Sequence, residues 1–470
     1  MRNPKINYFE KNKIQITIAT LVAIMCAALV LVGCQNKADK GVASSSPEVT
    51  ESHTLLPTFA AIHTPTILPT ETPSPMPTEV LTATPVITGT PTLAPTSTPT
   101  PSATPNPTPT IKPTATPTQA PTQEPVTAEQ ILSTMTLEEK IYQMFIVSPE
   151  DLSVGQGSIT AYTDADMEFL KEHPVGGVIY FENNIVNPEQ TKNMLQTIRK
   201  YSEDNLGLPL FACVDEEGGR VARIANNSAF NVEKFDGMGA VATEEEAYNI
   251  GKTIGAYLAE LGFDFDFAPV ADVLSREGSA VIGDRSFGTD PHRVSAFAAA
   301  AAKGLESNNI MSTFKHFPGH GATTADSHSD YAVTEKTYEE LKQGDLIPFA
   351  NASENNVSAI MVAHISVPNV IGDNTPCSLS YKMVTEILKG ELGYRGLVIT
   401  DALNMGAISK NYTPAEAAIK AVEAGNDVLL MPLDPENTAE GLINAVKSGR
   451  ISESRIDDAV LKIIEAKLNH

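Results

Sequence analysis

From about residue 127 onward the chain alternates two hydrophobic patterns. Short, nearly unbroken apolar runs occupy 144–148, 177–181, 210–215, 263–268, 310–315, 359–364, 397–401 and 427–431. Runs this short with little polar alternation predict strands buried on both faces. Between them lie longer amphipathic segments such as 244–261 and 293–308. Thr136 followed by Glu139 has the capping-box pattern that opens a helix. A final helix is expected over 454–468, where Ile456, Val460, Ile463, Ile464 and Leu468 recur at helical spacing and should pack on the outside of the fold. Repeated strand–helix units predict an α/β protein: a single (β/α)8 TIM-type barrel over 127–470. A doubly wound open sheet is the rival, but no Gly-x-Gly-x-x-Gly turn follows an early strand.

The first 126 residues follow neither pattern. Arg2, Lys5, Lys11 and Lys13 precede an apolar run from Ile14 to Val32, which ends in Leu31-Val32-Gly33-Cys34. A basic start, an apolar core and small residues before a cut predict an export signal over 1–33. An uncleaved membrane helix is the competing reading, and both place the remainder outside the cytoplasm. The Leu-Val-Gly-Cys sequence resembles a bacterial lipoprotein box, which implies lipid on Cys34, attachment through it to the outer face of the cell membrane and an extracytoplasmic domain. Residues 34–126 are rich in Thr-Pro repeats such as those from Thr98 to Pro109. This composition supplies too little apolar side chain for a core and favours a disordered, polyproline-like linker. At about 3.1 Å per residue such a stalk could extend on the order of 200 Å.

Charge and cysteine content narrow the partners. With 33 Lys and Arg against 57 Asp and Glu, the formal net charge is −24, which argues against nucleic acid as a partner. Of the four cysteines, Cys26 falls in the export signal and Cys34 at its end. Cys213 and Cys377 remain; an oxidising compartment would permit a disulfide between them, but two buried free thiols are the favoured reading. There is no disulfide framework and no zinc-finger spacing.

Charged residues gather where the predicted strands end, which in a parallel barrel is the functional rim. The third strand runs into Asp215-Glu216-Glu217-Gly218-Gly219-Arg220, with Arg223 just beyond; the fifth ends in Lys315 and His316, the sixth in His364 and the seventh in Asp401. Singly, each has a plain structural role: Asp401 as a helix N-cap, Asp215 with Arg220 as an ion pair. Together they predict a site. The stretch Lys315-His316-Phe317-Pro318-Gly319-His320-Gly321 reads as a loop, because its Gly and Pro oppose a helix. That also weakens a zinc site, since His316 and His320 would need a helix to share a face. The chemistry that fits is retaining glycosidic cleavage. Asp401, at the end of an apolar strand, is the nucleophile candidate. In Asp326-Ser327-His328 the histidine can give and reclaim a proton near neutral pH, and Asp326 can orient it.

The lysine–histidine stretch with Asp326-Ser327-His328 resembles the β-N-acetylhexosaminidases of glycoside hydrolase family 3, and the resemblance covers nearly all of the folded part. It implies Asp401 as nucleophile, His328 as acid/base and Asp326 as its support. The implied sugar-binding residues are Asp215, Arg223, Arg285 (in Gly283-Asp284-Arg285-Ser286-Phe287), Lys315 and His316. Some relatives carry a second acidic residue directly after the nucleophile or three positions on, where this chain has Ala402 and Asn404. The resemblance implies exo-acting removal of terminal β-N-acetylglucosamine, with peptidoglycan fragments or related glycans as substrate. It implies no metal or other cofactor, and a monomer. The alternatives are a β-glucosidase, an N-acetylglucosaminide phosphorylase, a catalytically silent sugar-binding lipoprotein and a metal-dependent deacetylase on the same barrel.

Overall fold

Each predicted apolar run contains or overlaps a strand. In the computed structural model these are β1 Phe145–Val147, β2 Gly177–Tyr180, β3 Phe211–Val214, β4 Phe265–Asp266, β5 Thr313–Phe317, β6 Ala359–Val362, β7 Leu397–Thr400 and β8 Leu429–Leu430. The structure describes residues 126–153, 157–275, 279, 281–323, 332–355 and 357–470. Cys34, Asp326 and His328 lie outside the described residues.

All eight strands run parallel. Five form a sheet in the order β8-β1-β2-β3-β4, and three form a sheet in the order β7-β6-β5. Typical registers are Ile146↔Gly177, Val178↔Ala212 and Leu397↔Ala359. Parallel bridges Phe265↔Met311, Val270↔Lys315 and Ile399↔Val428 lie along the seams between the two sheets. The result is an α/β fold around a curled parallel sheet. Strand residues such as Phe145, Val178, Phe265, Ile360 and Val398 are fully or almost fully buried, as expected of strands with helices on the outside.

The helices start and stop where local chemistry dictates. Thr136 and Glu139 form the predicted capping box, and Thr163 with Asp166 forms another. The helix Glu244–Leu261 opens at Thr243, whose hydroxyl accepts from the Glu246 N–H, and closes on Gly262 at φ 96°. The last helix, Glu453–Leu468, buries Ile456, Val460, Ile463 and Ile464 against the helices Ala128–Thr134 and Leu137–Gln143. Leu468, expected in that face, stays 46 % exposed at the helix end. Cys213 and Cys377 are buried free thiols, as the sequence suggested.

One correction concerns β5. The sequence reading ends the strand at Lys315 and opens a loop there, whereas the strand runs from Thr313 to Phe317 and carries both Lys315 and His316. Its register with β6 shifts between Phe314 and Phe317. A lysine and a histidine sit inside a buried strand here because carboxylates on neighbouring segments meet them.

Helices Glu244–Leu261 and Pro291–Glu306 approach closely through small residues. A Cβ on Gly251 would lie 2.1 Å from the Ala301 carbonyl oxygen, and one on Gly304 2.2 Å from that of Tyr248. Because both obstacles are backbone, relief requires moving a helix. Gly251→Ala should therefore destabilise the fold by about 1–3 kcal/mol, read as a lower denaturant midpoint. An unchanged midpoint would contradict this packing.

Candidate active site

The parallel strands bring their C-terminal ends to one rim, and a pocket opens there. Its cavity volume is about 220 Å³, and its wall includes Asp215, Glu217, Arg223, Arg285, Lys315, His316 and Asp401.

The polar wall is built first from the segment after β3. Glu216–Gly218 turns back and pairs antiparallel with Val221–Ala222. Glu216 is fully buried. Its carboxylate accepts the backbone N–H groups of Arg223, Ile224 and Ala225 and the hydroxyl of Tyr257. Burial raises its pKa while those donors pull the other way. Glu216 thus acts inward, as the internal brace of the hairpin, while its neighbours Asp215 and Glu217 line the pocket.

Those two carboxylates hold the cations. The Lys315 Nζ lies 2.7 Å from Asp215 Oδ1 and 2.6 Å from Glu217 Oε1. Glu217 also accepts Arg285 Nε and Nη2, each at 2.7 Å, in a bidentate pair. Lys315 is 2 % exposed and Glu217 4 %. Burial opposes the Glu217 charge, but Lys315 and Arg285 outweigh it and bring its pKa down to about 2. Burial opposes the Lys315 charge as well, and Asp215 and Glu217 reverse that and raise its pKa. The Asp215–Arg220 ion pair considered from sequence does not form. Arg220 reaches Asp284 at 3.4 Å and the carbonyls of Val281 and Ile282, because Lys315 already occupies Asp215.

His316 and His320 bracket the turn after β5. Asp272, fully buried, takes His316 Nδ1 at 2.7 Å on Oδ2 and the backbone N–H groups of His316 and His320 on Oδ1. His320 Nδ1 lies 2.6 Å from Thr323 Oγ1. Burial lowers the His320 pKa and the neighbouring His316 adds to that, against Asp272 and Asp401.

Asp401 ends β7. Its N–H donates to the Val362 carbonyl at 2.9 Å, and its Oδ1 accepts the Ala402 N–H at 2.8 Å. It is not a helix N-cap, since the next helix is Gly406–Ser409. His364 does not line the pocket; it is buried, its Nε2 lying 2.9 Å from the Ala402 carbonyl, and braces the segment behind Asp401.

An apolar arc faces the charged one. Ile179 and Phe181 come from the end of β2, Met361 from β6, Met405 from beyond β7, and Leu430 and Met431 from β8. Met431 adopts φ 46°, a conformation uncommon for a residue with a side chain. Arg223 stands at the margin, 3.4 Å from Glu182 and 5.9 Å from the centre of the Phe181 ring.

Six predicted site residues therefore share one pocket: Asp215, Arg223, Arg285, Lys315, His316 and Asp401. Sequence reasoning assigned no role to Glu217, Asp272 or the three methionines, and weighed His320 only as a metal ligand. Glu217 stood in the Asp-Glu-Glu run, and Asp272 was a lone carboxylate in an apolar stretch, each a usable signal. The methionines carried none, because methionine in a strand reads as core.

Residues 136–466 match the model of the glycosyl hydrolase family 3 N-terminal domain. The chain is 33 % identical over 326 residues to β-hexosaminidase A of Pseudoalteromonas piscicida, covering 64 % of this chain and 54 % of that protein. It is 35 % identical over 291 residues to a β-hexosaminidase of Chromobacterium violaceum, covering 61 % and 79 %. The fold is similar to that of a glycoside hydrolase family 3 β-N-acetylglucosaminidase from Paenibacillus sp. str. FPU-7, with a TM-score of 0.66 and 35 % identity over 71 % of this chain and 62 % of that one. This chain thus spans about half the length of the Pseudoalteromonas relative and about four-fifths of the Chromobacterium one.

The lowered pKa of Glu217 fixes a pH dependence. Its folded value of about 2 lies below the ordinary 4.5, so its pairing stabilises the fold above pH 4.5 and that contribution fades as pH falls toward 2. Glu217→Gln leaves Lys315 short of a buried partner and should cost about 3–5 kcal/mol at neutral pH. The difference from wild type should shrink as pH drops below about 4.5, as urea titrations at several pH values would show. A difference independent of pH would mean that Glu217 is not held as a buried carboxylate.

Proposed function

The chain belongs to glycosyl hydrolase family 3, and on that footing we propose that it is an exo-acting, retaining β-N-acetylhexosaminidase that removes terminal β-N-acetylglucosamine. The names of its relatives support the reaction class. The observation that carries the reading is the arrival of Asp401, from β7, in the same pocket as Lys315, His316, Arg285, Asp215 and Arg223.

In this reading Asp401 attacks the anomeric carbon as the bond to the leaving oxygen breaks, and His328 passes its proton to that oxygen. A water then gives its proton to His328 and attacks the same carbon, which releases the sugar and restores Asp401. Asp326 orients His328 and stabilises its charged form. Asp215, Arg223, Arg285, Lys315 and His316 hold the sugar hydroxyls. The roles of Asp326 and His328 rest on the sequence motif.

Three further elements complete the proposal. The two parallel sheets form one closed (β/α)8 barrel; the bridges at both seams, Phe265↔Met311 and Ile399↔Val428, support this. The export-signal pattern and Leu-Val-Gly-Cys sequence support a lipoprotein anchored through Cys34 to the outer face of the cell membrane, with the Thr/Pro-rich 34–126 as the linker. That location suits cell-wall fragments as the substrate.

The test is hydrolysis of 4-nitrophenyl N-acetyl-β-glucosaminide and the matching β-glucoside, with and without phosphate. The N-acetylglucosaminide should be turned over without phosphate and the glucoside hardly at all. Asp401→Asn should lose at least about a thousandfold in kcat while its melting stays near wild type; a loss under about tenfold would remove Asp401 from the nucleophile's role. His328→Ala should slow glycosides with poor leaving groups far more than the activated aryl glycoside. Equal losses on both would argue against proton donation by His328.

A further inference from the structure

We propose that Asp272 is a positioning residue, which sets the tautomer and orientation of His316 and pins the turn that leads toward Asp326 and His328. The inference rests on the glycosidase reading for its effect on turnover, but not for its geometry.

Asp272 follows β4 and is fully buried. Its side chain accepts three hydrogen bonds, two from His316 near the end of β5 and one from His320 in the turn after it. Oδ1 takes the His316 N–H at 3.1 Å and the His320 N–H at 2.6 Å. Oδ2 takes the His316 ring at Nδ1, 2.7 Å away. A carboxylate only accepts, so Nδ1 must carry the proton. That leaves Nε2 as the ring nitrogen available to the pocket that His316 lines. Two backbone donors from residues four apart also fix the path of the turn between them.

The grip extends to a second loop. The Asp272 carbonyl accepts the Ser286 hydroxyl at 2.6 Å, next in sequence to Arg285. Asp272 therefore joins the segment carrying His316 to the one carrying Arg285, while itself standing behind the pocket wall. Its surroundings favour an ionised carboxyl: burial opposes the charge, but His316, followed by His320, outweighs it and lowers the pKa.

This arrangement differs from a generic buried ion pair in what an isostere would do. In Asp272→Asn the carbonyl oxygen can keep both backbone donors, which places the amide NH₂ against His316 Nδ1. That nitrogen must then accept, and the ring proton moves to Nε2. The fold can survive while the pocket meets the wrong tautomer.

Nitrogen-15 NMR of the histidine rings in the full chain reads this directly, with the His316 signals assigned by their loss in His316→Gln. Wild type should show a protonated Nδ1 on His316, and Asp272→Asn should show Nε2–H with a bare Nδ1. On the N-acetylglucosaminide, Asp272→Asn should lose roughly 10–100-fold in kcat/KM, the scale known for removing the partner that orients a metal-bound histidine. Added to His316→Gln it should cost under about threefold, because the two act through one ring. A bare Nδ1 in the wild-type protein would overturn the proposal even if Asp272→Asn fails to fold. Equal losses from Asp272→Asn with and without His316 would also overturn it. If wild type hydrolyses no substrate, the glycosidase reading fails, and the ring-nitrogen signals still decide whether Asp272 sets the tautomer.

Discussion

The site depends on one buried ammonium. Lys315 lies inside a strand and is almost without solvent contact, where an unpaired charge would be prohibitively costly. Asp215 and Glu217 meet it, and Glu217 in turn fixes Arg285. Because these groups come from the ends of β3 and β5 and from the loop after β4, the network ties adjacent parts of the rim together. Removing any member leaves a buried charge uncompensated, so the geometry of the pocket and the stability of this part of the fold are coupled. A preorganised polar wall of this kind needs little rearrangement when a ligand arrives.

The surrounding residues divide between acting on the pocket and supporting it. Glu216, His364 and Asp272 are polar and buried, yet each turns its bonding capacity to protein. Glu216 closes the hairpin that presents Glu217 and Arg223, His364 holds the segment behind Asp401, and Asp272 holds the turn behind His316. Each satisfies backbone donors or acceptors that strand ends and turns would otherwise leave open. The close contact of helices Glu244–Leu261 and Pro291–Glu306 through Gly251 and Gly304 belongs to the same support, packed outside the strands.

Much of this was legible in the sequence, for identifiable reasons. Buried parallel strands leave near-continuous apolar runs, so seven of the eight runs contained their strand and the eighth overlapped it, and the helix over 244–261 was placed to the residue by its amphipathic period. The boundary of β5 failed because Lys315 and His316 look like a loop when their partners are unknown; Asp215 is 100 positions away in the chain. Sequence distance also explains the wrong partner for Arg220: an acid in the adjacent run was the natural guess, whereas Asp284, which it reaches, comes from a later loop. The methionine side of the pocket was invisible because its residues differ from core residues only in where the curled sheet puts them. The division between Glu216, which braces, and Glu217, which lines the site, depends on a turn that sequence alone does not orient.

The charge pattern bears on what the pocket suits. On the polar arc two carboxylates, Asp215 and Glu217, face two cations, Lys315 and Arg285, in direct contact. Those four charges balance before any ligand enters, and Arg223 at the margin is paired with Glu182 at 3.4 Å, so the wall offers directed donors and acceptors rather than a net field. A neutral, hydroxyl-rich ring fits that better than an anion, and the opposite arc of Met361, Met405, Met431 and Leu430 can cover the ring's C–H surface. Asp401 stands outside the balanced set, directly after β7, which lies between the strands that supply Met361 and Leu430. A carboxylate added to an otherwise neutral arrangement is what a developing positive charge at an anomeric carbon calls for. The Lys315 network and Asp401 thus divide the electrostatics of the pocket: the first removes net charge from the wall, and in the proposed reaction the second supplies it at the carbon where bond breaking generates its opposite.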